Sequence, residues 1–539
     1  MDDFNNQIDM DWDNYSSELE ELIDNWDAFG IVEGSSTIAQ YTPQRVYTYR
    51  DNPFIEALGD IMTEEEFYNN ATYHPEIPDD IDYRLLTGEE RIHLCMVAND
   101  FFEPFSQHAH LQQHISRTIR ERYRTHNPTN PEFRRKLKSI VKEMRRYLKG
   151  EYPESAMETK KDERKTKTKM LGITLLGISG IGKTTAIEVI LNMYDQVIYH
   201  KEYNDRKFTW TQVVYMKIDC PHDASIKGLC INFFLALDEI LETRYFETHA
   251  RFGLATVDAM IPRIAHLAFV HSIGILIIDE IQRLNYAKSG GASKVLSFFV
   301  QLINTVGMPI MLVGTPYARA VVSSHFRQIR RGVGSGKAYW ENMDEDDEWD
   351  DFVKAMWKYQ FTKVETPLTQ ELSHTLYYES AGIADLAVKL YIMAQTRAIR
   401  YGEDEIITED LIRSVAYDAL IDAQDMLNAL RKKDYRTLEY YPDLMLVVHN
   451  RMLNIDGSPL GSQLSNDKNS RTGDQKNHPR GQKFITTPDK ITALKQEFKV
   501  PSSGNLVDIT ITGKKHHLTG YDALKRSGYI KPALEFLNG

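Results

Sequence analysis

The sequence predicts an α/β fold: a parallel sheet flanked by helices, then a small helical domain, with extensions at both ends. Three observations carry this prediction. Apolar, strand-length runs alternate with helix-length stretches from about 171 to 366, the pattern of a parallel sheet with crossover helices. The first run, 170–176, leads directly into G-I-S-G-I-G-K-T at 177–184, a phosphate-loop pattern between strand and helix. From 368 to 432 the periodicity is helical throughout.

A chain of 539 residues is too long for one core and is expected to form three or four folding units. Residues 1–30 hold ten acids and no Lys or Arg, so 1–44 reads as an acidic, flexible tail. Residues 45–157 read as a mostly helical extension. Within it, 111–149 suggests two basic helices split by Asn127-Pro128-Thr129-Asn130-Pro131, and 117–149 holds twelve Lys or Arg against three acids.

The α/β core is expected over 158–367, opening with a charged linker at 158–169. Its strands are predicted at 171–176, 212–219, 273–279, 309–314 and about 359–366, nearly continuous apolar runs that suit a sheet covered on both faces. Its helices are predicted at 183–193, 224–242, 256–271, 293–306 and 316–330. An acidic run at 341–351, with eight Asp or Glu, reads as a solvated helix face or a charged segment. The helical domain is assigned to 368–455, with helices at 368–380, 383–400, 408–419 and 420–432. Residues 456–483 read as a disordered polar linker, and 484–539 as a C-terminal partner-binding segment with a basic group at Lys514-Lys515-His516-His517.

Composition is that of a globular protein, 42% hydrophobic and 26% charged. No apolar run has membrane-spanning length, and residues 1–6 lack a signal peptide's basic and apolar regions, so no membrane partner is expected. Cys95, Cys220 and Cys230 are too few for a disulfide framework or a four-thiolate zinc site, and suit neutral thiols in a reducing cytoplasm. The net charge of −13 argues against a generally basic nucleic-acid binder, but its segregation leaves room for local contact with a polyanion.

The phosphate loop names a ligand class, a nucleoside triphosphate with Mg²⁺. Gly177, Gly180 and Gly182 let backbone N–H groups turn around a phosphate chain, with Ser179 and Thr185 beside them. Lys183 reaches the β- and γ-phosphates, and the Thr184 hydroxyl holds Mg²⁺. The following helix directs its N-terminus at the phosphates. About 100 residues later, Ile275-Leu276-Ile277-Ile278-Asp279-Glu280 is a buried strand ending in two acids. Asp279 suits the metal; Glu280 suits orienting or polarising the attacking water. Thr315, after the next strand, is placed to sense the γ-phosphate, or is simply the N-cap of a helix with Pro316 at its first position. One of Arg327, Arg330 and Arg331 is expected to stabilise transition-state charge in a neighbouring subunit, the alternative being a basic surface turn.

In this order the four features resemble an AAA+ ATPase. The stretch 279–284 with Gly314-Thr315-Pro316 is similar to the TnsC and TniB group of transposition regulators. Residues 49–58, 196–200, 213–220, 232–238 and 330–332 also look like TnsC of the Tn-seven class. The resemblance implies ATP-bound subunits assembled as rings or filaments on target double-stranded DNA, with hydrolysis driving disassembly. It implies transposase partners of TnsA and TnsB type and a target selector of TnsD, TnsE or TniQ type. Where many AAA+ proteins carry an Arg at the start of the lid helix, Gly382-Ile383-Ala384-Asp385 stands here, with Lys389 one turn on.

Head-to-tail packing of identical subunits gives a ring or open helix, in which a few cations per subunit suffice to hold a duplex. Ser225 with Lys227, and Lys288 and Lys294 around a Gly-rich loop, are the candidates, making non-specific backbone contacts. The basic helices of 117–149 are a second candidate. The alternatives are another AAA+ DNA machine, such as a helicase loader or initiator-like ATPase, or a nucleotide-gated DNA scaffold with negligible turnover.

Overall fold

The computed structural model describes residues 36–78, 82–135, 137, 172–250, 256–286, 295, 298–299, 307–318 and 337–434. The chain divides into two compact units, 1–466 and 467–539, and every described residue lies in the first. The linkers expected at 158–169 and 456–483, the C-terminal segment and most of the second basic helix lie outside the described residues. So do residues 1–35 and most of the helices expected at 293–306 and 316–330.

Helices α1 (Pro53–Glu56), α2 (Glu64–Ala71), α3 (Gly88–Cys95) and α4 (Ser106–Thr125) make the N-terminal extension. Helices α5 (Lys183–Leu191), α6 (Ile226–Leu241), α7 (Tyr245–His249) and α8 (Val257–Val270) flank the sheet sequence. Helices α9 (Asp347–Trp357), α10 (Gln370–Ser380), α11 (Ala384–Tyr401), α12 (Glu409–Leu420) and α13 (Gln424–Arg431) form the helical region.

The strands are β1 (Ser36–Ile38), β2 (Gly172–Gly177), β3 (Val197–Tyr203), β4 (Arg206–Val213), β5 (Tyr215–Asp219), β6 (Ile275–Asp279), β7 (Ile310–Gly314) and β8 (Lys337–Trp340). Five of them build one parallel sheet in the order β5-β6-β7-β2-β8. Strands β6 and β7 are buried along their whole length, as the apolar runs require of a sheet covered on both faces. Register sets the site: Asp219 lies opposite Asp279, Leu176 opposite Gly314, and Gly177 opposite Trp340. The carboxyl ends of neighbouring strands thus share one edge, where ligands of such sheets bind.

Two strand predictions are corrected. The fifth strand is Lys337–Trp340, paired with β2, rather than 359–366. The 359–366 stretch alternates like a strand, but side chains take up its backbone groups. Phe361 N–H donates to Gln395 Oε1 at 2.9 Å, Gln395 Nε2 to the Tyr359 carbonyl at 3.0 Å, and Trp357 Nε1 to the Thr366 carbonyl at 2.7 Å. The single strand expected at 212–219 is two strands broken at Val214, because Val213 and Val214 bond outward, to His271 and Gln196. The β3–β4 hairpin turns on Asn204 and Asp205, both at positive φ, as a tight two-residue turn demands.

Residues 36–44, grouped by sequence with the flexible tail, are packed. Strand β1 pairs with β3, and Tyr41 donates to His200, which donates through Nε2 to Gln212 Oε1. Gln212 in turn donates to the Phe54 carbonyl. That chain of bonds makes Nε2 the donor to Gln212; burial, against that bond, holds His200 at about 4 and so neutral.

Helix α4 also departs from the basic-helix reading. Arg120 and Arg122 are buried against the extension and the α/β core: Arg120 binds Ser116 Oγ and the Gly59 and Asp60 carbonyls. Only Arg117 and Arg124 of that helix's arginines face outward, and Arg124 pairs with Glu121. The acidic run 341–351 begins helix α9. Asp346 caps it by accepting from Glu348 and Trp349 N–H, and Asp347, Glu348 and Asp350 sit at the positive end of the helix dipole. Its other face buries Trp349, Phe352, Val353 and Met356 in the helical core. The three cysteines are free and buried, and burial pushes each thiol up to about 12. Among the described residues, no helix is long and apolar enough to cross a membrane.

Candidate nucleotide site

The loop after β2 is built by its glycines. Gly180 and Gly182 take φ of 83° and 88°, a region closed to most side chains, and Gly182 caps α5. A Cβ on Gly177 would stand 2.9 Å from the Trp340 carbonyl, so the loop starts flush against β8. Ser179 is half-buried in the turn, and Thr185 is exposed on the first turn of α5.

Lys183 is buried, its Nζ donating to the Gly177 and Ile178 carbonyls at 2.8 Å each. Its charge is thereby held inside the loop. Thr184 Oγ1 donates to Asp279 Oδ2 at 2.8 Å, joining the helix start to the end of β6. The other Asp279 oxygen accepts the Glu280 N–H at 2.8 Å. Glu280 follows at φ 58°, a left-handed conformation that a non-glycine residue adopts at a cost of about 1 kcal/mol or more.

Gln282 and Arg283, which carry no assigned role in the sequence beyond the 279–284 resemblance, complete the acidic end. Gln282 Nε2 donates to Glu280 Oε2 at 3.0 Å, and its Oε1 accepts the Thr315 N–H at 3.2 Å. Arg283 donates to the Cys220 carbonyl at 2.7 Å and lies 3.6 Å from Glu280 Oε2 and 3.9 Å from Asp219.

Thr315 is 5% exposed, and its buried hydroxyl has no hydrogen-bond partner among the described residues. Such a group costs about 1–3 kcal/mol unless something bonds it. It belongs to the same strand edge as Gly177, Asp279 and Glu280. The donor set fits a nucleotide with a hard cation: one hydroxyl and one carboxylate for the metal, a buried ammonium for phosphate, and an orphan hydroxyl. Among the described residues, no group of three or more His, Cys, Asp or Glu is arranged to hold a metal ion.

The family model described as an AAA domain matches residues 167–322. This stretch is an AAA-family ATPase domain. No curated protein matches the chain. Among solved structures, the chain is similar to the Walker-type ATPase PABY2304 of Pyrococcus abyssi, at 15% identity and TM-score 0.32, over 53% of this chain and 84% of that one. It is similar to the Aeropyrum pernix ORC1 protein, solved in complex with DNA, at 13% identity and TM-score 0.32, over 61% of this chain and 83% of that one. It is also similar to Cdc6p from Pyrobaculum aerophilum, at 15% identity and TM-score 0.33, over 45% of this chain and 59% of that one.

The helical region reaches the AAA domain's phosphate loop. Ile178 is buried within the helical core cluster, and Asp385 N–H, at the start of α11, bonds the Gly180 carbonyl at 3.3 Å. Lys389 is engaged with Asp385 at 2.6 Å. The two residues singled out in the sequence at the start of this helix thus pair with each other within α11.

Of the expected DNA contacts, Lys227 is exposed on the first turn of α6. The Ser225 hydroxyl is already used as that helix's cap, accepting Gly228 N–H at 3.0 Å. Lys288, Lys294, Arg327, Arg330 and Arg331 lie outside the described residues.

Proposed function

We propose that the chain binds ATP with Mg²⁺ at this site, hydrolyses it, and uses nucleotide state to govern its own assembly on double-stranded DNA in transposition. The observation that carries the chemical part is the 2.8 Å bond between Thr184 Oγ1 and Asp279 Oδ2. It brings together a phosphate-loop hydroxyl and a strand-end carboxylate 95 residues apart, at the sheet edge where the neighbouring strand β7 ends just before Thr315.

Thr184 and Asp279 hold the metal, which when bound neutralises phosphate charge. Lys183 supplies a desolvated cation to the phosphates. Glu280 accepts a proton from the attacking water or orients it, and Thr315 donates to the terminal phosphate or to that water. One of Arg327, Arg330 and Arg331 acts in a neighbouring subunit's site.

The DNA and transposition part of the reading is supported by the TnsC-like and TniB-like stretches quoted above. In it, Lys227, Lys288 and Lys294 contact the duplex backbone, and Ser225 positions Lys227 by capping its helix. Subunits form a homo-oligomeric ring or filament that links a TnsD-, TnsE- or TniQ-type selector to TnsA- and TnsB-type transposase subunits. Electron microscopy of the full chain with duplex DNA and a non-hydrolysable ATP analogue tests this reading. Rings or filaments that need both ligands and vanish in Lys183→Ala are expected; a monomer indifferent to both contradicts it.

A further inference from the structure

Gln282 occupies a place that the roles assigned above leave unexplained. It is 6% exposed, in the short 3-10 turn Ile281–Tyr286 after the acidic strand end. Both ends of its amide are used, and by two different parts of the site. Nε2 faces the Glu280 carboxylate, which only accepts, and Oε1 faces the Thr315 N–H, which only donates. Only this orientation of the amide satisfies both neighbours; the flipped one would set donor against donor and acceptor against acceptor. The partner strand makes room for it. A Cβ on Gly314 would stand 2.7 Å from Gln282 Oε1 and 2.6 Å from Ile281 Cγ2, so glycine at the end of β7 is what lets the amide reach the Thr315 turn.

We infer that Gln282 is a positioning residue for hydrolysis, coupling the Glu280 carboxylate to the Thr315 turn so that the water-activating group and the phosphate-sensing group are held in one geometry. The inference rests on the reading of this site as an ATP-hydrolysing one. Glu280 is half-exposed on a left-handed backbone and has Arg283 within 3.6 Å of the oxygen that Gln282 bonds. Without the amide, the carboxylate loses this bond toward the Thr315 turn while Arg283 stays 3.6 Å from the same oxygen. Glutamate at 282 would keep the acceptor for Thr315 N–H but set a second carboxylate against Glu280. Methionine would keep the volume and lose both bonds.

The test is steady-state phosphate release by the full chain as wild type, Gln282→Met and Gln282→Glu, each also in a Glu280→Gln background. Binding of a fluorescent ATP analogue and melting temperature are measured in parallel. The inference expects kcat to fall on the order of 10- to 100-fold in both single variants, the size of a misplaced catalytic group. It expects analogue affinity and melting temperature to stay close to wild type. In the Glu280→Gln background, adding Gln282→Met should change the residual rate by no more than about threefold, because coupled residues are not additive. An unchanged kcat in the single variants overturns the inference while leaving the ATPase reading intact. So does an equal loss in both backgrounds, or a loss explained by lowered stability or analogue binding. A wild-type chain that binds the analogue but releases no phosphate from ATP overturns both.

Discussion

Lys183 is the side chain whose bonds a phosphate would most directly replace: its ammonium sits against two loop carbonyls, 2.8 Å from each. Replacing it with Ala removes the one buried cation of the loop. We expect kcat/KM for ATP to fall on the order of 100-fold or more, as when a preorganised charge-stabilising group is lost; a titration of phosphate release against ATP checks this. At this scale much was legible. The residues from Gly177 to Thr184, and Asp279 with Glu280, could be named because their chemistry is written in local spacing next to strand signals. Gln282 could not, because its meaning depends on Thr315, 33 residues away and brought close only by the pairing of β6 with β7. The sequence left open whether Thr315 was merely a helix cap; its buried, unpartnered hydroxyl favours a site role.

Elements were legible where burial on one or both faces wrote a period into the sequence, as in β6, β7, α5 and α11. They were misread where side chains replaced strand partners, as at 359–366. Arg120 and Arg122 looked like surface charge because sequence shows a residue's type and not the carbonyls it meets. A buried ion pair between elements gives a test at this scale. Arg91 of α3 forks onto Glu405, in the loop before α12, with Nη2 2.8 Å from Oε1; both side chains are buried. Burial would raise the Glu405 carboxyl, but Arg91 and the Lys363 N–H hold it below its ordinary range. Glu405→Ala leaves the guanidinium buried without its charge partner and should destabilise by about 3–5 kcal/mol. Urea unfolding with an unchanged midpoint would contradict this account of how the extension is tied to the helical region.

For the molecule as a whole, buried neutral histidines set the response to acid. Burial holds His108 at about 3, His200 at about 4 and His271 at about 3, against about 6.5 in an unfolded chain. Below pH 6.5 the unfolded chain therefore binds protons that the folded one refuses. Stability from these groups is fully present above about pH 6.5 and is lost as pH falls toward 4. The lowered Glu405 acts in the same direction further down. Urea midpoints should drop steadily from pH 7 to 5; flat or rising midpoints would show that these histidines are not buried neutral. Assembly belongs to this scale too. In the proposed DNA-binding reading, exposed Lys227 meets phosphate charge alone, so Lys227→Ala should weaken duplex binding uniformly across sequences and lower the salt slope by about one. Competition binding at several salt concentrations checks it.

In the proposed function, Lys183, Thr184, Asp279 and Glu280 form a working hydrolytic site. Phosphate release from ATP by the purified full chain, beside Glu280→Gln and with and without duplex DNA, tests it most directly. Mg²⁺-dependent release by the wild-type chain is expected, falling on the order of 100-fold in Glu280→Gln to a low but measurable rate while ATP-analogue binding persists. Equal release by the two proteins, or none from either, would contradict it.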